Sequence, residues 1–278
     1  MIKAVIDIGS NSIRLLVDND KNKLINTTQL AEGLSISGIL NNNAMERTAI
    51  AINEFYQLAI ERGADKVYAF ATEAVRSARN GGDFIKMMKD RYAIDIDLLS
   101  PEEEARAGFT GAYNGGNACV IDIGGASTEI VTGNEKGINY ARSIPIGIVR
   151  LKDICGTDRD KLNDYIPKKL AEFGDVGHFD YGIAIGGTAS AVVAMIFEGF
   201  NREIVHHYHL TRIELNMVLH VLDTVPDINA IKGLPVKRAE VIIGGILLLD
   251  HIMDMLGLDE VLVSENDNIE GYLKLRCP

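Results

Sequence analysis

The sequence predicts an α/β protein whose two halves are duplicates of one another, facing across a cleft. Three observations predict it. Short β-branched runs alternate with helix-patterned segments along the whole chain. One strand–turn–strand pattern occurs twice: Val5-Ile6-Asp7-Ile8-Gly9-Ser10-Asn11-Ser12 returns as Val120-Ile121-Asp122-Ile123-Gly124-Gly125-Ala126-Ser127. The clearest break, Asn114-Gly115-Gly116-Asn117, falls just before the second copy and marks a boundary between lobes at 1–117 and 118–267.

The elements follow in order. Residues 3–7 form a β-rich run that ends at a Gly-Ser-Asn-Ser turn, and residues 13–18 return as a second strand. Residues 19–22 are a polar turn, and 23–32 read as a third strand. Met45, Ala49, Ile52, Phe55 and Ala59 recur at helical spacing, so 44–62 is an amphipathic helix stopped by Gly63. A strand at 67–71, a helix at 83–91 and a strand at 94–98 follow. Ser100-Pro101-Glu102-Glu103 is a helix start with a cap, a proline at the first position and a capping-box Glu, and the helix runs to about 113.

In the second half, strands are expected at 118–123, at 128–132 and ending at 142–144. A helix at 158–173 leads to a buried strand at 181–185, which enters Gly186-Gly187-Thr188. Helices follow at 189–198, 211–223 and 236–256, the last apolar almost all round. A short strand at 261–263 precedes a closing helix at 268–278, which is expected to complete the first lobe.

Composition narrows the function. The chain has 278 residues, nearly half of them apolar, and a net charge of −11. That excludes a basic nucleic-acid footprint. A polyanionic ligand would have to be drawn by a local basic cleft, backbone N–H groups or a metal ion. No uncharged apolar run reaches the roughly 18 residues of a membrane span, and no signal-peptide pattern opens the chain, so no membrane association is expected. Cys119, Cys155 and Cys277 are isolated, with no metal spacing, which suits reduced thiols in a cytoplasmic protein.

Each copy of the repeat is an apolar strand with an Asp at its end and a Gly-rich turn after it. Glycine lets backbone N–H groups come close to a ligand. Clustered N–H groups and hydroxyls bind phosphate oxygens, and the strand-end Asp can hold Mg²⁺. Two such hairpins across a cleft would grip a phosphate chain from both sides.

These turns resemble the phosphate loops of the actin, Hsp70 and sugar-kinase superfamily. Further segments narrow the resemblance to the exopolyphosphatase / guanosine-pentaphosphate phosphatase (Ppx/GppA) family. They are residues 7–12, Ala71-Thr72-Glu73-Ala74-Val75-Arg76, 100–106, 122–129, 144–151 and Ile185-Gly186-Gly187-Thr188, in the family's order. The resemblance implies two actin-like (ribonuclease H-like) domains with the site between them. It implies Mg²⁺-dependent hydrolysis of the terminal phosphate of inorganic polyphosphate or guanosine pentaphosphate. This chain resembles the short members, which lack a C-terminal helical domain, so short polyphosphate chains are expected. A homodimer and a requirement for K⁺ stay open.

The resemblance also assigns roles. Glu104, directly before Ala105-Arg106, matches the family's catalytic base. A carboxylate can align and deprotonate a water, although an acid at a helix start ordinarily serves the dipole. Glu103 is left as the cap. Arg76 matches a phosphate-contacting arginine, with Arg14 and Arg150 as weaker candidates. Asp122 and Glu129, seven apart across the second hairpin, are the metal candidates, and Asp7 either assists or structures its turn. Gly9, Ser10, Asn11, Ser12, Gly124, Gly125, Ala126, Ser127, Gly186, Gly187 and Thr188 supply phosphate contacts. The spacing of His206-His207-Tyr208-His209 fits no zinc pattern, so a surface or strand-edge role is expected.

Two departures stand out. Ala126 replaces a third glycine, which the turn tolerates only if its φ is negative. The ending Asp267-Asn268-Ile269-Glu270-Gly271 stands where the family has Gly-Leu-Arg-Glu-Gly, so an arginine is missing. Because one fold hosts many activities, an ATP-dependent small-molecule kinase, a non-catalytic polyphosphate or nucleotide sensor and an actin-like assembly protein remain as alternatives.

Overall fold

The computed structural model describes residues 1–18, 20 and 22–276. The predicted turn at 19–22 falls partly outside the described residues, as do Cys277 and the last two residues of the predicted closing helix.

The first half folds as β1 (Lys3–Ile8), β2 (Ser12–Val17), β3 (Leu24–Thr27), α1 (Leu34–Ser37), α2 (Asn42–Glu61), β4 (Lys66–Ala71), α3 (Glu73–Ser77), α4 (Gly81–Tyr92), β5 (Asp97–Leu98) and α5 (Pro101–Ala112). Its five strands lie in the order β3-β2-β1-β4-β5. β1, β2 and β3 are antiparallel, whereas β4 runs parallel to β1.

The second half folds as β6 (Ala118–Ile123), β7 (Thr128–Asn134), β8 (Gly137–Ile144), α6 (Ile148–Cys155), α7 (Arg159–Leu170), β9 (Tyr181–Ile185), α8 (Gly187–Ile196), α9 (Arg202–Val205), β10 (His209–Thr211), α10 (Arg212–Thr224), α11 (Ala239–Leu256), β11 (Glu260–Val263) and α12 (Asn268–Arg276). Its six strands lie in the order β10-β11-β9-β6-β7-β8. β6, β7 and β8 repeat the antiparallel meander, and β9 repeats the parallel partner. Two mixed sheets with the same strand logic are the duplication that the sequence predicts.

Several expected elements change in extent. The third strand stops at Thr27, because Gln29 takes a positive φ of 51°. The chain then turns onto the first hairpin loop, where Gln29 N donates to Asn11 O and Ala31 N to Ser10 O. The long apolar helix starts at Ala239, behind a 3₁₀ turn at Val236–Arg238. α6 was not anticipated. It follows directly on the turn Pro145–Gly147 and buries Ile148, Val149, Leu151 and Cys155. The histidine cluster ends on β10, an edge strand, where His209 is exposed.

The lobes exchange their closing helices. α5 precedes the Asn114–Asn117 break in the chain, yet Ala105, Phe109 and Ala112 pack with Val120, Val131 and Ile185 of the second sheet. α12 ends the second half, yet Ile269 and Tyr272 pack with Val5, Phe70 and Leu99 of the first. The two helices touch along their length, and glycines permit it. A Cβ at Gly111 would fall 1.9 Å from Asp267 O, and one at Gly271 would fall 1.8 Å from Ala107 O. The division at 114–117 therefore describes the strands, while each closing helix sits on the other lobe. Ile269, within the stretch where the family arginine is missing, is fully buried.

Candidate active site at the interlobe cleft

The two hairpins have one construction. Gly9 N donates to Ser12 O at 3.1 Å, and Gly124 N donates to Ser127 O at 3.0 Å. Gly125 lies against the other loop: a Cβ there would fall 2.6 Å from Ser10 Cβ and 3.0 Å from Asn11 N. Ala126 does not take a positive φ, so the turn accepts it. Between the loops is a cleft of about 100 Å³, lined by Gly9, Ser10, Asn11, Ser12, Gly124, Gly125 and Ser127, with Asp7, Asp122 and Glu104 at its base. Gly186 and Gly187 also line it, at the N-terminus of α8, where unpaired N–H groups favour anions.

Not every predicted contact reaches this cleft. Ala126 is buried, and its carbonyl accepts from Arg150 Nε at 2.9 Å. Thr188 is buried against α11 at Gly245. Glu129 and Arg76 stand behind the lining, each next to a carboxylate of the cleft.

The strand register separates the two hairpins chemically. Asp7 faces Arg14 across β1–β2, and Asp122 faces Glu129 across β6–β7. Arg14 binds Asp7 through Nε at 2.8 Å and through Nη2, and its Nη1 reaches Asp267. Asp7 is thus committed to an ion pair. Burial still raises its carboxyl above the ordinary range, against the pull of Arg14. Asp122 and Glu129 have no such partner at the equivalent place. Burial raises Asp122 to about 6 despite Arg14, and burial together with Asp122 raises Glu129 to about 8. Glu129 Oε1 accepts from Ser143 Oγ at 2.5 Å.

Glu104 completes the group. At the start of α5, Ser100 Oγ accepts from Glu103 N and Glu103 Oε2 from Ser100 N, so the capping box is closed without Glu104. Glu104 turns inward and is 6% exposed. Its Oε2 accepts from Arg76 Nη1 at 3.0 Å. Arg76 is itself held by Leu99 O at 2.6 Å and by Glu73 Oε2 at 2.7 Å. Burial, then Glu129, push the Glu104 carboxyl well above its usual range, while Arg76 pulls it down.

With Glu104 raised by Glu129 and Asp122, and Glu129 by Asp122, the three buried carboxyls form an electrostatic deficit that a cation or protons would relieve. Among the described residues no group of three or more His, Cys, Asp or Glu is placed to hold a metal ion by itself. Asp122 and Glu129 nevertheless suit Mg²⁺, which takes one or two carboxylates and fills its remaining positions with waters and phosphate oxygens.

Comparison with known proteins identifies the family and the fold. The model of the Ppx/GppA phosphatase family matches residues 10–274. The chain belongs to that family. It is 32% identical to a bifunctional 3-dehydroquinate synthase/phosphatase of Fusobacterium nucleatum, over 98% of this chain and 46% of that one. It is 26% identical to a guanosine-5'-triphosphate,3'-diphosphate pyrophosphatase of Vibrio atlanticus, over 96% and 58%. The crystal structure of an exopolyphosphatase from Cytophaga hutchinsonii superposes with a TM-score of 0.87 at 25% identity, covering 99% of this chain and 97% of that one. The fold is the actin-like two-domain fold of the family. The chain spans about half the length of the first two relatives.

Sequence reasoning missed two residues in the family cleft. Arg238 lines it from the turn before α11, and its Nη1 donates to Gly187 O. Among the described residues no carboxylate pairs with it. Burial, then Arg14, lower its guanidinium to about 10. The signal was available: Lys237-Arg238 puts two cations at a helix N-terminus, where the dipole opposes them. Asn268 also lines the cleft, and its type alone carries no signal. Beside the cleft, past Gly187 and Arg238, opens a cavity of about 450 Å³. One wall is apolar, with Ile25, Ala191, the exposed Phe200 and Pro235, while Arg14, Lys23, Arg202 and Arg238 bring cations to it and Glu265, Asp267 and Glu270 carboxyls.

Among the described residues no helix is long and apolar enough to cross a membrane. Cys119 and Cys155 are buried and free, and burial raises the Cys119 thiol to about 12, which removes it as a nucleophile.

Proposed function

We propose that this chain is a phosphohydrolase that releases the terminal phosphate of inorganic polyphosphate or guanosine pentaphosphate. One observation carries the reading. Glu104 is freed from capping by Glu103, buried, and held by Arg76 beside Asp122 and Glu129.

Glu104 holds and deprotonates a water for in-line attack on the terminal phosphorus. Arg76, behind the lining, holds the Glu104 carboxylate and lends it positive charge. Ser10, Asn11, Ser12, Ser127 and the glycine backbones of both loops hold the phosphate chain. Gly186, Gly187 and Arg238 meet it from the other side. Asp122 and Glu129 are the residues that would hold Mg²⁺, which when bound neutralises phosphate charge. Asp7 acts on its turn through Arg14.

The cavity beside the cleft favours guanosine pentaphosphate as a substrate alongside polyphosphate. Its apolar wall with the exposed Phe200 gives a purine ring a surface to pack on, while the cations around it serve the phosphates of either substrate. The buried, unpaired thiols suit a cytoplasmic protein. A homodimer is the assembly we carry forward, to be checked by light scattering.

The deciding experiment compares phosphate release from short polyphosphate, long polyphosphate and guanosine pentaphosphate, with Mg²⁺, and with and without K⁺. Release from any of these, abolished in Glu104→Gln, supports the proposal. No release, with ADP formed from ATP and an acceptor, would replace it by a kinase. Tight binding with no turnover, unchanged in Glu104→Gln, would replace it by a sensor.

A further inference from the structure

Asp122 receives a hydrogen bond from the other lobe's closing helix, and the residue that donates it has no other polar partner. Asn268 is the first residue of α12, and its Nδ2 donates to Asp122 Oδ2 at 2.9 Å. Capping does not require it. Asp267 Oδ1 accepts from Ile269 N at 3.0 Å, and Glu270 Oε2 accepts from Asp267 N at 2.8 Å, so the start of α12 is already capped. The Asn268 side chain is free to reach across the cleft and is 5% exposed. Its Oδ1 is buried with no hydrogen-bond partner. Burying a carboxamide with an unpaired carbonyl costs about 1–3 kcal/mol, so the site retains a group that packing alone would replace with an apolar one.

The surroundings are shaped for this side chain. A Cβ at Gly108 would fall 2.6 Å from Asn268 Oδ1. Gly108 lies one turn after Glu104, so the two share a face of α5. The orphan oxygen therefore points to the helix face that carries Glu104, while the amide holds Asp122. Next to it, Asp267 is locked by Arg14 and, at 2.8 Å, by Lys23. The start of α12 thus touches both strand-end aspartates: Asp7 through Arg14 and Asp267, and Asp122 through Asn268.

We propose that Asn268 is a positioning residue for the divalent-cation site. Its N–H fixes the Asp122 carboxylate in one orientation toward Glu129. The proposal rests on the reading of Asp122 as a cation-holding residue. It deepens that reading by naming the residue that orients the carboxylate. Loss of a group that orients a metal ligand typically weakens metal affinity about 10- to 100-fold.

The test is calorimetric titration of Mg²⁺ into the substrate-free protein, together with phosphate release. Asn268→Leu, similar in size and without polar atoms, is expected to weaken Mg²⁺ binding about 10-fold. KM for the phosphate substrate stays within about twofold, and saturating Mg²⁺ restores most of kcat. Asn268→Ser, which keeps a donor, loses less and serves if the leucine variant does not fold. In an Asp122→Asn background the leucine change adds little, because the residue acts through Asp122. Wild-type Mg²⁺ affinity in Asn268→Leu, with Asp122→Asn impaired, would overturn the role of Asn268 alone. An equal loss in the Asp122→Asn background would also overturn it. Wild-type Mg²⁺ affinity in Asp122→Asn would remove the cation role of Asp122, and this proposal with it.

Discussion

Arg14 and Glu129 occupy the same register position in two copies of one hairpin, and one is a guanidinium where the other is a carboxyl. The duplication preserved the backbone while dividing the chemistry. In the first copy the strand-end aspartate is neutralised by its neighbour, and in the second a carboxylate is doubled. The first hairpin is thereby a structural anchor and the second an acidic site. Breaking a buried pair by removing one partner costs about 3–5 kcal/mol. Arg14→Ala, which strands Asp7 and leaves Asp267 to Lys23 alone, is expected to lose stability on that scale, read as a fall in the urea midpoint.

Glu104→Gln tests the chemical step. The amide keeps the shape and the contact with Arg76 but cannot take a proton. We expect kcat to fall about 10²- to 10⁴-fold, with KM changed less than about threefold. The melting temperature should not drop, because the change removes one of three mutually repelling carboxyls. Activity near wild type would exclude Glu104 as the base.

Arg238→Ala tests the unpaired guanidinium. Truncating one side of a buried charge pair costs about 2–5 kcal/mol of binding. Affinity for a non-hydrolysed phosphate ligand should fall by about 30-fold or more, measured by calorimetry. The same variant should keep or gain stability, since a buried cation without a carboxylate partner is removed.

Gly125→Ala tests the contact between loops. Its Cβ would meet Ser10 Cβ at 2.6 Å, so the loops must part. A displacement near 1 Å at a phosphate-positioning loop can cost about 100-fold in rate. The expected result is a large loss of kcat/KM with a modest change in melting temperature.

The pH dependence of stability has a definite sign. Glu129 is raised to about 8 and Asp122 to about 6, so in chelator the native state binds more protons than the unfolded state. Stability therefore falls as pH rises from about 4 toward 8. Mg²⁺ should reduce this fall, because it replaces the protons. Asp267 acts oppositely and lower: burial raises it, but Arg14 and Lys23 prevail and hold it at about 2. Its contribution is present above the ordinary Asp range and is lost as pH drops through 2. Thermal melts from below pH 2 up to pH 9, with chelator and with Mg²⁺, check both arms.

The sheets and the cleft were readable because their signals are local. Asp7-Ile8-Gly9 and Asp122-Ile123-Gly124 each declare a strand end and a turn within a few residues, and Ser100 to Glu103 declares a helix start. What could not be read depended on distant partners. Nothing near Asp7 shows that Arg14 faces it while Glu129 faces Asp122; the strand register decides that. The exchange of α5 and α12 was half legible: the return of α12 was expected, but α5 carries no mark of which sheet its apolar face will meet. Thr188 sits in a phosphate-like motif and is drawn instead against Gly245, a contact set by the packing of α11.

The exchanged helices also bear on how the protein is made. Val5, Phe70 and Leu99 leave the ribosome well before their cover, Ile269 and Tyr272, which lie about 170 residues or more further along the chain than any of them. That face of the first sheet therefore stays wet until α12 has been made. Neither half can finish without the other, and the nascent chain should need protection from aggregation until α12 emerges.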